Sequence, residues 1–459
     1  MRRSGIKNIS ALVDAALPQS AAVARRSLFT AYEEVLAAVD PFLITRKQLQ
    51  INGSALCTAG RIFALDSYRR ISVIGAGKAG AGMAAAVEEL LGGRLYDGCV
   101  NVSDRCGYDL KKLETRLAGH PLPDAAGVAG AHRILEVAAA AERDDLLICL
   151  ISGGGSSLLP LPSAPLTLSD KQLTTSLLLR CGASISEINT VRKHISAIKG
   201  GQLARKAWPA TLLNLVLSDV LHDPLDFIAS GPTVADSTTF SDALAVIEKY
   251  GLSEKVPAVV IDRLQEGIAG RIADTPKPDD SCFARVFNQV IASNVLAKRL
   301  LAENLKQLGF EVELVDAPIA GPVDVAGDFF IEALRRLSVR RLQGSRVALV
   351  AGGELTLEVH GAGRGGRNQH LALAMFEAMR AYKGAIFAAL STDGIDGPTD
   401  ASGAFIDASV IENADRLGLG PGDFLQRCDS YEFFRQTGGL VCTGYTGGNL
   451  NDLFVLMLT

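Results

Sequence analysis

SVIGAGKAGAGMAAAVEELL (72–91) runs from an apolar strand through a glycine-rich turn into an amphipathic helix, and the chain is organised around it. Gly75, Gly77 and Gly80 satisfy G-x-G-x-x-G, a spacing that lets the backbone approach an anion at a helix N-terminus, where unpaired N–H groups and the helix dipole favour negative charge. Lys78 lies inside the turn and adds a full positive charge, as transfer of a phosphoryl group would require. The same pattern also serves as a tight turn that packs helix on strand, so the other segments must decide.

Working outward, GCVNV (98–102), LLICLI (146–151) and TLLNLVL (211–217) are short apolar runs separated by helical stretches. That alternation predicts an α/β fold with a Rossmann-like, doubly wound parallel sheet, whose ligands collect beyond the carboxyl ends of the strands. At 459 residues the chain suits two α/β domains. The proline- and acid-rich ADTPKPDDS (273–281) sets the expected boundary at 275/276: a kinase-type domain over 1–275, whose N-terminal helix can pack on the other domain, and a layered α/β domain over 276–459.

A net charge of -4 and a single tryptophan, Trp208, argue against nucleic acid and for a small-molecule partner. The eight cysteines form no C-x-x-C pair, so reduced thiols are expected. The basic N-terminus lacks the long apolar core of a signal peptide, and no apolar run approaches membrane-spanning length. A soluble cytoplasmic protein with no membrane partner is expected, and a homodimer is left open.

The candidate site residues stand at strand ends. SGGGSS (152–157) offers Gly153, Gly154 and Gly155 with Ser156 and Ser157 to an anion. SDKQ (169–172) has the spacing of a capping box. Asn189, Arg192 and Lys199 can share a helical face through steps of three and seven. Asp219 follows strand 211–217, where a carboxylate can hold magnesium or accept a proton. RVALVAGGELTLEVHG (346–361) reads as two strand-like runs around Gly352-Gly353, with Glu354 at the bend. GAGRGGRNQHLALA (361–374) repeats the opening device with Arg367 at the helix start. Asp393, Asp396 and Asp400 in STDGIDGPTD (391–400) invite a metal, and Thr443, Thr446 and Asn449 are small polar groups suited to orienting a ligand. Asp104, 24 residues beyond Gly80 (104 minus 80), could be the ribose-binding acid of a dinucleotide site. A nicotinamide-dependent reductase of hydroxypyruvate or a similar keto acid is therefore the rival enzyme, and a nucleotide-binding protein without catalysis is a third reading. Three glycine-rich loops with two cations and acidic strand ends favour phosphoryl over hydride transfer.

The strings VIGAGKA, AGHPLPD, LISGGGSSLL, EINTVRKHISAIKGGQLA, LVLSDV, IASGPT, GGELTL, GRGGRNQ, STDGIDGPTDASGA and TGYTGGNLNDL together resemble the D-glycerate 2-kinase family, whose C-terminal part is called the MOFRL domain. The resemblance covers nearly the whole chain. It implies two α/β domains with the active site in the cleft between them, ATP with a divalent metal (Mg2+), and phosphorylation of the 2-hydroxyl of D-glycerate. It maps the family's active-site lysine and arginine onto Lys78 and Arg367. The resulting expectation makes Lys78, Arg367 and Asp219 catalytic. Gly75, Gly77, Gly153, Gly154, Gly155, Ser156, Ser157, Lys199 and Asn368 bind nucleotide; Asn189, Arg192, Ser230, Glu354 and Asp396 bind the acceptor; Asp219 and Asp393 hold magnesium. His222, His370, Gly439, Tyr445 and Gly448, together with GPVD (321–324), depart from the family strings, and the acceptor is the function they are expected to touch.

Overall fold

The structure, a computed structural model, describes residues 5–13, 19–341 and 344–459. The chain divides into two compact units, Pro41–Ile291 and Met1–Asp40 with Ala292–Thr459.

The first unit opens on a small antiparallel meander, β1 (Gln50–Asn52), β2 (Ala55–Thr58) and β3 (Arg61–Ala64), which the sequence pattern did not suggest. Its main sheet contains β4 (Arg70–Ala76), β5 (Leu95–Val102), β6 (Glu114–Leu117), β7 (Asp145–Ser152), β8 (Thr211–Leu217) and β9 (Val286–Ala292), in the order β6-β5-β4-β7-β8-β9. β4 through β8 run parallel. The chain winds outward from β4 to β6, returns to β7, and then winds the other way. The sheet therefore reverses direction between β4 and β7, where a doubly wound fold leaves a crevice at the strand ends. All eight residues of β7 are buried, which is why a central parallel strand reads as an unbroken apolar run. Ile74, Cys99, Cys149 and Val216 form the core with Ala131 and Ile134 of the helix Ala125–Ala139. A second core joins Ile188 and Val191 to Phe240 and Leu264, on helices the apolar runs alone did not single out.

The second unit is built on a mixed sheet of β10 (Glu311–Leu314), β11 (Ile319–Pro322), β12 (Val347–Thr356), β13 (Ala385–Ser391), β14 (Gly403–Asp407), β15 (Leu440–Val441) and β16 (Asp452–Leu458). The order is β10-β12-β16-β13-β14-β15, with β11 beside β12. Phe330 packs on Phe387 and Phe454 in its core. The helix Gln19–Ala38 is fixed within this unit by a buried ion pair, Arg25 to Asp407 at 2.7 Å, and by Tyr32, whose hydroxyl donates to the Ser391 carbonyl at 2.7 Å.

Three local expectations need correction. The segment 273–281 is part of the first unit, where Thr275 donates to Asp236 and the Asp236 amide donates to Pro276; the chain passes to the second unit only at 291/292. Residues 347–356 form one continuous strand without a bend, because its two glycines answer close neighbours: a Cβ on Gly352 would lie 2.2 Å from Asn294 Oδ1, and one on Gly353 1.8 Å from the Ile319 carbonyl oxygen. The capping box before the helix Leu168–Arg180 is Thr167 with Asp170, two residues before the expected Ser169 with Gln172.

Candidate active site

The opening turn does something different from what its glycines suggest. Gly75 leaves no room for a side chain against the Leu150 carbonyl, and Gly77 combines φ +153 with a Cβ position 1.9 Å from Ser152 Oγ. The amides of this turn are all used internally. Gly77 donates to the Asn101 carbonyl at 3.1 Å, Lys78 to the Gly153 carbonyl at 2.8 Å, Ala79 to Ser152 Oγ at 3.0 Å and Gly80 to the Gly77 carbonyl at 3.0 Å. This turn thus laces β4 to β5 and β7, and what it presents is the Lys78 side chain.

The second turn, after β7, is the open one. Gly154 adopts a left-handed conformation at φ +79, and among the described residues the amides of Gly154, Gly155 and Ser156 find no acceptor. Successive outward amides of this kind make an anion-binding nest. A Cβ on Gly154 would meet the His120 ring at 2.8 Å and Lys78 Cγ at 3.2 Å, and one on Gly153 would meet Asp219 Oδ2 at 2.0 Å. Lys78, His120 and Asp219 therefore converge on one glycine turn at the point where the sheet reverses. Sequence reasoning missed His120; its only signal was the string AGHPLPD. Burial, and secondly the Lys78 charge, lower the His120 pKa and keep the imidazole neutral.

Beside this turn lies a cavity of about 330 Å³ whose wall includes His120, Ser156, Ser157, Lys171, Arg192 and Lys199. Burial lowers the pKa of all three cations: Lys171 falls to about 7, with Arg192 and Arg263 as secondary causes, and Lys199 and Arg192 are pulled down in the same direction. Among the described residues Lys171 and Lys199 donate only to carbonyls, of Leu161 and Ala229, each at 3.3 Å. Lys171 was missed because its stretch reads as a helix cap. Arg192 and Lys199 meet here without sharing a helical face, since the helix Ile185–His194 ends five residues before Lys199 (199 minus 194). Asn189 and Ser230 stand behind this wall: Asn189 Oδ1 accepts from Ser230 Oγ at 3.1 Å, and Ser230 pairs with Ser156 Oγ at 3.0 Å. Both are buried and brace Ser156. Asp104 caps its own turn, accepting from the Cys106 amide at 2.5 Å.

In the second unit, Arg367 opens the helix Arg367–Ala374 and is held as a fork by Asp452, at 2.7 and 3.3 Å, and by Glu354 at 3.1 Å. Asp452 is wholly buried, and burial raises its pKa to about 6 against the pull of Arg367. It was missed because NDL looks like an ordinary strand entry. Asn368 Nδ2 also donates to Asp452, at 3.0 Å, and is itself sealed from solvent. Asp396 sits on the start of this helix, taking the Asn368 amide at 3.1 Å and the Gln369 amide at 2.8 Å. The helix N-terminus expected to cradle an anion thus carries the protein's own carboxylate, Asp396. Burial raises the Asp396 pKa to about 7.

The three aspartates of the 391–400 loop separate. Asp393 accepts from Ser391 Oγ and the Ile395 amide, Asp396 caps the helix, and Asp400 accepts from the Tyr431 hydroxyl. Among the described residues no three His, Cys, Asp or Glu side chains gather to hold a metal ion. Thr446 and Asn449 are used in binding their own loop, to Thr392 and to the Asn451 amide. His370 is buried within the helix, with Nδ1 unpartnered, and His222 is exposed at φ +68.

Residues 27–265 match a domain family described as a domain of unknown function (DUF4147), and residues 347–452 match the MOFRL family. The glycerate 2-kinase of Pyrococcus horikoshii is 37% identical over 93% of this chain and 95% of its own length, and the D-glycerate 2-kinase of Thermotoga maritima 38% identical over 84% and 90%. The chain belongs to the glycerate kinase family. The human glycerate kinase is a further relative, at 35% identity over 93% of this chain and 92% of its own length. The crystal structure of the Thermotoga maritima glycerate kinase superposes with a TM-score of 0.84 at 34% identity, covering 95% of this chain and 99% of that one. Family membership agrees with a site built on lysines and an anion nest, and disfavours the reductase reading.

Proposed function

We propose that this chain transfers the γ-phosphoryl group of ATP to the 2-hydroxyl of D-glycerate, giving 2-phosphoglycerate and ADP. The observation that carries this reading is the convergence of Lys78, His120, Asp219 and the open amides of Gly154–Ser156 on one turn, in a chain whose relatives are named glycerate kinases. The hydroxyl oxygen attacks the γ-phosphorus in line and the bond to the β-phosphate oxygen breaks, while the hydroxyl proton passes to Asp219. Lys78 and the three amides neutralise charge on the transferring group, and neutral His120 donates a hydrogen bond to it. Arg367, aimed by Asp452 and Glu354, presents within the second unit a planar fork suited to a carboxylate or phosphate.

Magnesium fits the donors present. It binds through one or two carboxylates together with substrate phosphates and water, so Asp219 suffices in the first unit, and Asp393 offers a hard oxygen in the second. When bound, the ion would neutralise charge on the β- and γ-phosphates. No described helix is long and apolar enough to cross a membrane; the proposal places the enzyme in the cytoplasm, acting on small molecules and without nucleic acid.

The test is ADP formation from Mg-ATP with a panel of 2-hydroxy acids, followed by phosphorus NMR of the product. Turnover should be highest with D-glycerate, the 2-phosphate should form, and excess chelator should abolish the reaction. NADH oxidation on adding hydroxypyruvate, with no ADP formed, would refute the kinase.

A further inference from the structure

We infer that residues 5–13 form a strap that gives the second unit an anion seat: Asn8 clamps the 440–442 backbone, and Lys7 sets its ammonium on the glycine loop that follows, where it receives the carboxylate of the acceptor. The inference rests on the kinase reading for the identity of the acceptor and deepens it by assigning Lys7, Asn8 and the amides of Thr443 and Gly444, which that reading leaves without a role.

The strap is anchored before it reaches the loop. Ile6 and Leu12 are buried, the Ile6 amide donates to Glu33 Oε1 at 2.8 Å, and the Leu12 carbonyl accepts from Arg25 at 3.1 Å. Residues 5–13 precede both family matches, so neither matched domain gives this segment a task. A chain end tied down in this way is fixed in place of fraying. Its grip on the 440–442 backbone is two-way. The Lys7 amide donates to the Cys442 carbonyl at 2.7 Å, Asn8 Nδ2 donates to the Leu440 carbonyl at 2.9 Å, and Asn8 Oδ1 accepts from the Cys442 amide at 3.0 Å. The Asn8 side chain thus acts as a strand neighbour to β15, the edge of the second sheet.

The loop beyond is shaped around the Lys7 side chain. Gly444 is left-handed at φ +69, and a Cβ there would collide with Lys7 Nζ. Among the described residues Lys7 Nζ has no hydrogen-bond acceptor, and the amides of Thr443 and Gly444 have none either. An ammonium beside two successive unused amides has the composition of a seat for one anionic group. One charge and two neutral donors balance a single carboxylate, which is what a hydroxy acid carries. The position suits the same ligand. Thr446 donates its amide to the Asp393 carbonyl at 3.1 Å and its hydroxyl to the Thr392 carbonyl at 2.8 Å, and Gly394 lies against the Gly444 carbonyl with no room for a side chain. The 391–400 loop also carries Asp396 to the start of the helix that opens with Arg367. One loop of the second unit therefore touches both the seat and the Arg367 helix.

Calorimetric titration of D-glycerate into the full chain, with magnesium and a non-hydrolysable ATP analogue present, tests the assignment beside steady-state kinetics. Lys7→Met removes the charge of an exposed side chain and keeps its stem; it should raise the Kd and KM for glycerate about tenfold and leave the KM for ATP within about twofold. Lys7→Arg should bring glycerate binding back to within about threefold of wild type. Asn8→Ala should weaken glycerate about fivefold, and Lys7→Met, Asn8→Ala should fall well short of the product of the two single effects, because Asn8 acts through the place it gives the ammonium. A full product would overturn that positioning role. If glycerate binding is unaltered in Lys7→Met, or only the KM for ATP rises, the seat does not receive the acceptor and the inference falls with the kinase intact. If the wild type forms no ADP yet its glycerate binding follows the pattern above, the kinase reading falls and the seat stands.

Discussion

Replacing Lys171 by methionine should make the protein more stable. Burial draws the Lys171 pKa from 10.5 to about 7, with the Arg192 and Arg263 charges adding to it. At about 1.4 kcal/mol per unit, such a displacement corresponds to a cost of roughly 5 kcal/mol for keeping the ammonium in its folded position. Methionine retains most of the apolar stem. The Leu161 carbonyl that loses the ammonium still accepts from Ser196 Oγ at 3.0 Å and from the Ala197 amide at 3.2 Å, so no acceptor is orphaned. Cavity hydration offsets part of the cost, leaving an expected gain of about 2–4 kcal/mol. The sign follows from proton counting. Between about pH 7 and 10.5 the unfolded chain holds a proton that the folded wild type has released, so wild-type stability rises with pH across that window. Below about pH 7 both states hold the proton and the full cost stands. The advantage of the variant should therefore be largest at pH 6 and fade towards pH 10.5. Trp208, the single tryptophan, lies in the first unit and reports its denaturant unfolding by fluorescence. A variant less stable than wild type at pH 6, or an advantage that grows with pH, would refute this electrostatic account.

Lys78→Ala should lower kcat about 10²- to 10⁴-fold, because it removes a positive charge beside the transferring phosphoryl group; an intact kcat would remove Lys78 from catalysis. Arg367→Ala should behave differently, destabilising by about 3–5 kcal/mol because Asp452 is left buried without its counter-charge; Arg367→Ala, Asp452→Ala should recover part of that loss, and a melting temperature unmoved by the single change would contradict the pairing. His222→Gly should raise stability by about 0.5–1 kcal/mol, since histidine holds φ +68 where glycine is strain-free; a loss of stability in thermal melting would show that the imidazole makes a compensating contact.

The parallel sheet was legible because a strand buried on both faces needs a continuous apolar run, and 146–151 and 211–217 have no other use for one. That Lys78 and Asp219 would stand with the 153–157 turn at strand ends was legible for a related reason, since loops begin where such runs stop. What a glycine loop does with its amides was not legible. G-x-G-x-x-G specifies a backbone that can approach something closely, and in this chain the thing approached is Ser152 and the Leu150 carbonyl. The GRGGRNQ loop reads as an anion site for the same reason, yet its anion is Asp396, 27 residues after Gln369 (396 minus 369). Long-range partners of that kind leave no periodic trace. The chain crossing at 291/292 was hidden because β9, an edge strand of the first unit's sheet, lies beyond the proline-rich segment that looked like the boundary.

The two cationic centres are prepared for different tasks. Arg367 is already compensated by Asp452 and Glu354, so a ligand there must share the arginine with its carboxylates, and the gain from adding an anion is small. Such an arrangement fixes orientation. Lys171 and Lys199 are buried and Arg192 half-buried, and among the described residues the wall they share carries no carboxylate, so an anion arriving there stabilises their charged forms. Binding and folding are then linked: anything that binds only the native state stabilises it by RT ln(1 + [L]/Kd), about 2.7 kcal/mol at a hundredfold excess over Kd. Tripolyphosphate alone should therefore raise the melting temperature of the wild type, and the rise should shrink in Lys171→Met, which lacks one of those charges. A rise of equal size in both proteins would mean that the anion is held elsewhere.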